Sequence, residues 1–287
     1  MGIKFGVAGN SDSFYAEGNK ASEQMPAFLA GKGLDAYEYQ CGNGVRCGAA
    51  TAGKIRAAAE ENGITMSVHS PYFINLATDD EQKREGSIRY IMQSAELARN
   101  LGAQRIVVHS GAICKLTREA ALDNARRTLT LARESLADAG FDEIRLCIET
   151  MGKINQLGDL DEVMTLCGID ESFLPCIDFG HLNARTLGEI RGKDDYEKIL
   201  DTMENRLGKE RAGCFHAHFS KIEYTKGGEK KHLTFADTQY GPEFEPLGEL
   251  LYKRSLTPTI ICESAGTQTE DAAYMKRAYL ANAKLKG

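Results

Sequence analysis

Residue types that bind divalent metals recur at one kind of position in this chain, at the end of a short apolar segment or just beyond it. The residues concerned are His69, His109, Glu149, Asp178, His181, His216 and Glu263. Imidazole and carboxylate groups together suit zinc, and also manganese or iron. The pattern therefore predicts a cluster of two or three divalent ions, with zinc as the first choice.

Such a cluster would carry a definite chemistry. Carboxylates placed beside several imidazoles would repel one another and be costly to desolvate without cations among them. Bound ions with open coordination positions lower the pKa of a water to about 7 and neutralise charge on a phosphoryl group under attack. We therefore predict a hydrolytic site, with Glu149 and Glu263 as its catalytic carboxylates.

The elements that position these residues follow from an alternation of short β-rich segments with longer amphipathic ones. The β-rich segments cover residues 4–9, 36–40, 65–70, 105–110, 145–150, 175–180, 214–219 and 259–264. Between them, stretches such as 80–102 and 117–140 have helical apolar spacing and end on glycine. Eight such pairs imply an α/β fold, a (β/α)8 TIM barrel with residues 1–287 as one domain. An open doubly wound sheet rarely uses eight units, and its GxGxxG motif is absent.

In this fold the functional residues project from the carboxyl ends of the strands. Strands three to eight end in the residues named above, whereas strands one and two end without such a group. His218 follows His216 by two residues and could face the same side, and we assign it a supporting or rim position. His232 lies in the polar segment 221–232, which we interpret as a long functional loop.

Composition narrows the possible functions. The net charge of −6 gives no general attraction to phosphate backbones, so nucleic-acid binding would need a local basic surface. No apolar stretch is long enough to span a membrane and the first residues lack a secretory pattern, so we expect a cytoplasmic protein without a membrane partner. The eight cysteines form no CxxC pair and several lie in apolar runs, so we expect reduced, mostly buried thiols.

Six segments together resemble the endonuclease IV family of apurinic/apyrimidinic endonucleases. They read VHSPYFINL, VVHSGA, CIETMGK, CIDFGHLNA, CFHAHFSK and ICES, in the right order and spacing over most of the chain. The resemblance implies a trinuclear zinc site that hydrolyses DNA at abasic sites in base excision repair. By position, the ligands of the first ion would be His69, His109 and Glu149. Those of the second ion would be Glu149, Asp178, His216 and Glu263, and those of the third His181 and His232.

The third site departs from the family, which has a carboxylate two residues before the histidine of a DxH motif. Here that position is Lys230, and the sequence reads Glu229, Lys230, Lys231, His232. Either Glu229 or Asp237 substitutes if the loop bends suitably, or the third ion is absent.

Candidate DNA contacts also follow from the resemblance. Tyr72 and Phe73 occupy the positions of the family's DNA-inserting pair, a wedge that unstacks a base step at a cost of roughly a few kcal/mol. In the loop after strand two, Arg46 is the basic group that remains, and no aromatic residue follows it. Lysines beside the predicted metals would contact phosphates. They are Lys221, Lys226, Lys230 and Lys231.

Two other functions stay open. Sugar isomerases and epimerases share this barrel and often hold one or two divalent ions on Glu, Asp and His at the same strand ends. A small sugar or phosphorylated substrate is therefore the alternative to DNA with abasic sites. A metal-bound barrel that binds nucleic acid or a small molecule without turnover is the non-enzymatic alternative.

Overall fold

Eight parallel strands close into a barrel in the computed structural model, which describes residues 2–284. These strands are β1 (Lys4–Ala8), β2 (Ala36–Gln40), β3 (Thr65–His69), β4 (Arg105–His109), β5 (Arg145–Glu149), β6 (Leu174–Asp178), β7 (His216–Phe219) and β10 (Thr259–Cys262). Each strand pairs with its predecessor around the ring, and β10 closes it against β1. The predicted TIM barrel is confirmed, and its carboxyl ends gather at one mouth.

The helices surround the barrel and connect its strands. They are α1 (Asp12–Ala16), α2 (Met25–Gly31), α3 (Ala49–Asn62), α4 (Glu81–Leu101), α5 (Arg118–Asp138), α6 (Leu160–Cys167), α7 (Phe179–Arg185), α8 (Lys193–Gly213), α9 (Glu245–Lys253) and α10 (Gln268–Lys284), with a 3-10 turn at Ser22–Gln24. Local capping sets the bounds of α4, since Asp80 accepts a hydrogen bond from the amide of Lys83, and Gly102 ends the helix at φ 70°. The helices predicted over 80–102 and 117–140 correspond to α4 and α5.

The barrel interior contains both apolar and polar side chains. Val107, Cys147, Leu174 and Cys176 form a small, fully buried cluster of their own. Two residues beyond Cys147 along β5, toward the mouth, the next inward side chain is that of Glu149, because side chains alternate along a strand. The larger apolar core lies between the strands and the helices. Along β5 the interior therefore becomes polar toward the mouth.

A hairpin occupies the segment that was predicted to be a long loop. Its strands are β8 (Ile222–Thr225) and β9 (Gly228–His232), and they pair antiparallel. The hairpin packs on the loop after β5, where the amide of Glu229 donates to the carbonyl of Gly152 over 3.0 Å. A Cβ on residue 152 would lie 2.6 Å from Cβ of Glu229, so only glycine allows this approach. The segment is therefore held as part of the barrel mouth.

Two further predictions concern membrane-spanning segments and the state of the cysteines. Within the described residues, no helix is both long and apolar enough to cross a membrane. All eight cysteines lie in that part of the chain as free thiols, and five of them are buried.

Candidate metal centre

The register of β7 decides which of its histidines reaches the mouth. Asp178, the last residue of β6, pairs with His218, whereas Cys176 pairs with His216. Two residues along a strand span about 6–7 Å, so His216 lies one layer deeper in the barrel than His218. The structure therefore places His218, not the sequence-predicted His216, level with Asp178. The prediction that His216 ends the strand is wrong, because His216 is the first residue of β7.

The first ligand group consists of His69, His109 and Glu149, at the ends of β3, β4 and β5. Nε2 of His69 lies 3.3 Å from Oε2 of Glu149, and Nε2 of His109 lies 3.1 Å from the same oxygen. Nδ1 of His69 lies 2.9 Å from the carbonyl oxygen of Ser70, which leaves Nε2 free to face the mouth. These three side chains can provide two nitrogens and one oxygen to a single ion.

The second group consists of Glu149, Asp178, His218 and Glu263, whose ligand atoms all lie within 4.8 Å of one another. Nδ1 of His218 lies 3.3 Å from Oε1 of Glu149 and 3.5 Å from Oε2 of Glu263. Glu149 thus turns Oε2 to the first group and Oε1 to the second. That is the geometry of a carboxylate able to bridge two ions.

The third group consists of His181, Glu229 and His232. Nε2 of His181 lies 3.5 Å from Oε2 of Glu229, while its Nδ1 lies 2.9 Å from the carbonyl oxygen of Thr150. Asp178 connects this group to the second, because it caps α7 by accepting a hydrogen bond from the amide of His181 over 2.7 Å. The DxxH spacing therefore places Asp178 at the N-cap of α7 and His181 in its first turn, which fixes their relative positions.

A β-bulge brings Glu229 into the third group. Tyr224 pairs with Glu229 and Glu223 pairs with Lys231, so Lys230 is an extra residue on β9. Residues three apart point to opposite faces of a regular strand, but an inserted bulge residue restores the common face. Glu229 and His232 consequently lie on one side despite their odd spacing. Of the two substitutes considered from sequence, the geometry selects Glu229. The carboxylate of Asp237 instead accepts the amides of Gln239 and Tyr240.

The charge balance of these groups fits divalent cations. Oε2 of Glu149 and Oδ2 of Asp178 are buried, and neither forms a well-aligned hydrogen bond with the described residues although imidazole nitrogens lie within 3.1–3.3 Å. Buried oxygens of acidic residues are rarely left in this state unless an ion contacts them. The donor set of imidazole nitrogens and carboxylate oxygens is one that zinc, manganese and iron accept.

Protonation of the histidines compensates these carboxylates in the metal-free chain. Burial opposes charge on His181, but Asp178, Glu149 and Glu229 outweigh it and raise the pKa of His181 well above its usual value. Burial likewise opposes charge on His218, whose pKa is nevertheless raised by nearby acidic groups, including Glu263. Burial would raise the pKa of Glu149, yet the surrounding imidazoles hold it well below the usual range. Protons on these histidines therefore supply the positive charge that bound cations would otherwise supply.

Two aromatic residues lie at the rim, where the sequence predicted DNA contacts. Tyr72 is 58% exposed, and its ring centroid lies 5.7 Å from that of His69 and 5.4 Å from that of His109. Phe73 is similarly exposed and packs against Tyr90 instead. Partial burial, with the carboxylates of Glu263 and Glu149, raises the pKa of Tyr72 to about 12. The hydroxyl of Tyr72 therefore stays protonated and able to donate at neutral pH.

The basic residues that were predicted to contact DNA differ in how exposed they are. Lys221 is buried, and its ammonium group donates to the carboxylate of Glu243 and to the carbonyl of Asp237, both over 2.7 Å. Lys230 and Lys231 extend from β9 into solvent and both pair with Glu223. Arg46 is exposed in the loop after β2. The structure thus places Lys221 inside the fold rather than on a surface that could meet a phosphate.

One acidic residue near the centre, Glu38 in the middle of β2, was not predicted from the sequence. It is fully buried and contacts both His216 and His218 inside the barrel. A charged residue in the centre of a buried strand requires partners. The Glu within the segment AYEYQ was therefore the feature of the sequence that could have indicated this contact.

Comparison with known proteins identifies the family. The family described as "Xylose isomerase-like TIM barrel" matches residues 26–280, and the chain belongs to it. An uncharacterized protein of Methanocaldococcus jannaschii is 34% identical over 243 residues, covering 85% of this chain and 86% of that protein. A Mycoplasma pneumoniae protein named "Probable endonuclease 4" is 31% identical over 163 residues, or 54% of this chain and 53% of that protein. The match thus spans about half of that relative, and the resemblance noted from sequence is confirmed.

Solved structures share the fold across the whole chain. Endonuclease IV from Thermus thermophilus superposes with a TM-score of 0.69 at 20% identity, covering 98% of this chain and 99% of that one. A D-tagatose 3-epimerase-like protein superposes with a TM-score of 0.72, also at 20% identity, covering 99% and 98%. Two chemistries thus share this fold, so the fold alone does not select between them.

Proposed function

We propose that this protein is a zinc-dependent phosphodiesterase that hydrolyses DNA at apurinic/apyrimidinic sites. The observation that supports this proposal is the third ligand group, joined to the second through Asp178 and His181. Ligands for up to three ions in one continuous mouth suit a reaction in which charge develops on several phosphate oxygens at once. A sugar epimerase with one or two divalent ions would leave the third group without a role.

The residues of the mouth have separable roles in this proposal. Bound ions would supply Lewis acidity and a water of lowered pKa. Glu149 would hold the first and second groups at a fixed spacing through its two oxygens, and Asp178 would hold the second against the third. Glu263, whose side chain is 15% exposed, is the second-group residue most open to the mouth. In this proposal Glu263 would accept a proton from an attacking water.

The DNA contacts are proposed for the rim. Tyr72 stands beside the first group and can stack on a base or donate a hydrogen bond to a phosphate, while Phe73 extends the same edge. Arg46, Lys230 and Lys231 are the exposed cations we assign to backbone phosphates. Because the net charge is −6, these contacts would have to act locally.

Incubation of the purified protein with a duplex that carries one abasic site tests the proposal. We expect two or three zinc ions per chain by elemental analysis, and incision at the abasic site that a chelator abolishes and zinc restores. An undamaged duplex and a Glu149→Gln protein purified in parallel control for contaminating nucleases. Fully metallated protein that leaves the abasic duplex intact would overturn the function while leaving the metal centre in place.

Sugar epimerisation is the second candidate, and one feature favours it. Glu149 and Glu263 flank the second group together, so two carboxylates could remove and return a proton on a sugar held by one ion. Conversion of a ketohexose by protein that holds a single manganese, cobalt or magnesium ion would support this candidate over DNA hydrolysis.

A further inference from the structure

A buried carboxylate links the candidate metal centre to the barrel interior. Oε1 of Glu38 lies 2.9 Å from Nε2 of His218, and Oε2 lies 2.9 Å from Nε2 of His216. Ser67 donates a further hydrogen bond to Oε2 over 2.8 Å. A carboxylate in the interior is costly unless its oxygens accept several hydrogen bonds, and these contacts meet that need. Gln40 also donates to Oε1 over 3.3 Å, so four side chains hold Glu38 in place.

His218 has one nitrogen in the interior and the other in the mouth. Nε2 faces Glu38, while Nδ1 faces the carboxylates of Glu149 and Glu263. A neutral imidazole has one N–H and one lone pair, and an ionised carboxylate can only accept. An ion in the second group would need the lone pair of Nδ1, and the N–H then belongs on Nε2, where the carboxylate of Glu38 accepts it.

We propose that Glu38 is a positioning residue that holds the proton of His218 on Nε2 and thereby presents the Nδ1 lone pair to an ion in the second group. The inference rests on the proposed metal centre, although Glu38 itself would touch neither ion nor substrate. A carboxylate partner also raises the basicity of a ligating imidazole and fixes the orientation of its ring.

The other mouth histidines show why this contact is distinctive. His69 and His181 direct Nδ1 to the backbone carbonyl oxygens of Ser70 and Thr150, and His232 directs Nδ1 to the hydroxyl of Ser220. Each of these hydrogen-bond partners is uncharged, although Nδ1 of His181 also lies 3.3 Å from carboxylate oxygens of Glu149 and Asp178, whereas the partner of His218 at Nε2 is a carboxylate. The second group therefore contains the histidine whose ligand strength depends most on a side chain that mutation can change.

Comparison with His216 distinguishes the positioning role of Glu38 from simple packing in the barrel core. It lies against the same carboxylate, but its Nδ1 is buried without a hydrogen-bond partner among the described residues, and its ligand atoms group with Cys176 and His218 rather than with the carboxylates of the mouth. Ser67 likewise contacts Glu38 but neither His218 nor the mouth groups. Ser67→Ala is therefore a matched control, because it removes a hydrogen bond to Glu38 and leaves the contact with His218 intact.

Zinc affinity, measured by competition with a chelator on folded protein, tests the proposal. We expect Glu38→Gln and Glu38→Ala to weaken the tightest zinc binding by about 10-fold to 100-fold, with the alanine variant weaker, and Ser67→Ala to stay near wild type. In zinc-loaded wild-type protein with 15N-labelled histidine, NMR should show the proton of His218 on Nε2 with a strongly downfield shift. Glu38→Gln should move that signal upfield.

Folded Glu38→Gln protein that binds zinc as tightly as wild type would overturn the inference, as would a wild-type spectrum with the proton of His218 on Nδ1. If Glu38→Ala does not fold, the glutamine variant and the wild-type spectrum still decide. Wild-type protein that binds no zinc would overturn the proposed function as well, so the two failures are distinguishable.

Discussion

The first two ligand groups and the third are built in different ways. The first two use residues at the ends of barrel strands or directly after them, and they share Glu149, whose side chain is 1% exposed. The third group combines a helix residue, His181, with Glu229 and His232 from the hairpin strand β9. Glu229 is 17% exposed and lies on the outer side of the mouth.

This difference indicates how firmly the surrounding fold holds the ligands of each group. Strand ends in a closed barrel are fixed on both sides by parallel neighbours, so their ligands are positioned before an ion arrives. The hairpin is a separate two-stranded sheet, which packs on α7 and bridges to the loop after β5 through Lys153 and Gly228. We therefore expect the third ion to bind more weakly and to be removable on its own.

Removing the shared carboxylate should have the largest effect. Glu149→Gln replaces one of two anionic oxygens with an amide that cannot ligate, so both strand-end groups lose their bridge. Activity should fall by more than about 100-fold, which exceeds the typical effect of losing an outer partner. Metal content and incision rate measure this, and a variant that keeps full activity would contradict the bridging role.

Removing the hairpin carboxylate should have a smaller and more selective effect. Glu229→Gln should lower the metal content by one ion and reduce incision by about 10-fold or more, since two ions remain on the strand ends. Glu223→Gln is the matched control on the partner strand, because Glu223 pairs with Lys230 and Lys231 and belongs to no ligand group. Unchanged metal content in Glu229→Gln would exclude a third ion held by this residue.

Deleting Lys230 should have little effect on the metal content, and the deletion tests the role of the bulge directly. The deletion shortens the Glu229 to His232 spacing to two residues and makes the pairing of β8 with β9 regular, which again puts both side chains on one face. The third ion should be retained in the deletion and in Lys230→Ala, which keeps the bulge. Loss of the ion in the deletion alone would show that face alternation does not explain the site.

The smallest effect expected is a pH dependence of the metal-free protein. The pKa values of His181 and His218 are raised in the folded chain, so their protonation stabilises it fully below the unfolded pKa. That stabilisation is lost as pH rises through the raised folded values. Urea unfolding of chelated protein should therefore show lower stability at alkaline pH, whereas zinc-loaded protein should not follow the same trend. The same change of stability with pH in the chelated and the zinc-loaded protein would contradict this account.

Much of the centre could be predicted because strand ends are visible in sequence. An apolar run followed by His69, His109, Glu149 or Asp178 marks the point where a buried strand meets the mouth. The choice between His216 and His218 could not be made in this way, because both face inward and only the register with β6 shows which is level with Asp178. The role of Glu38 depends on a contact with residues about 180 positions away.

The sequence by itself determined the barrel and the ligand types, because alternation and helical periodicity are local properties of the chain. Tertiary structure alone decided the depth of each side chain, the carboxylate behind His218 and the common face of Glu229 and His232. These depend on strand register and on a bulge. Register and bulges are set by pairing between distant segments, and no local pattern encodes them.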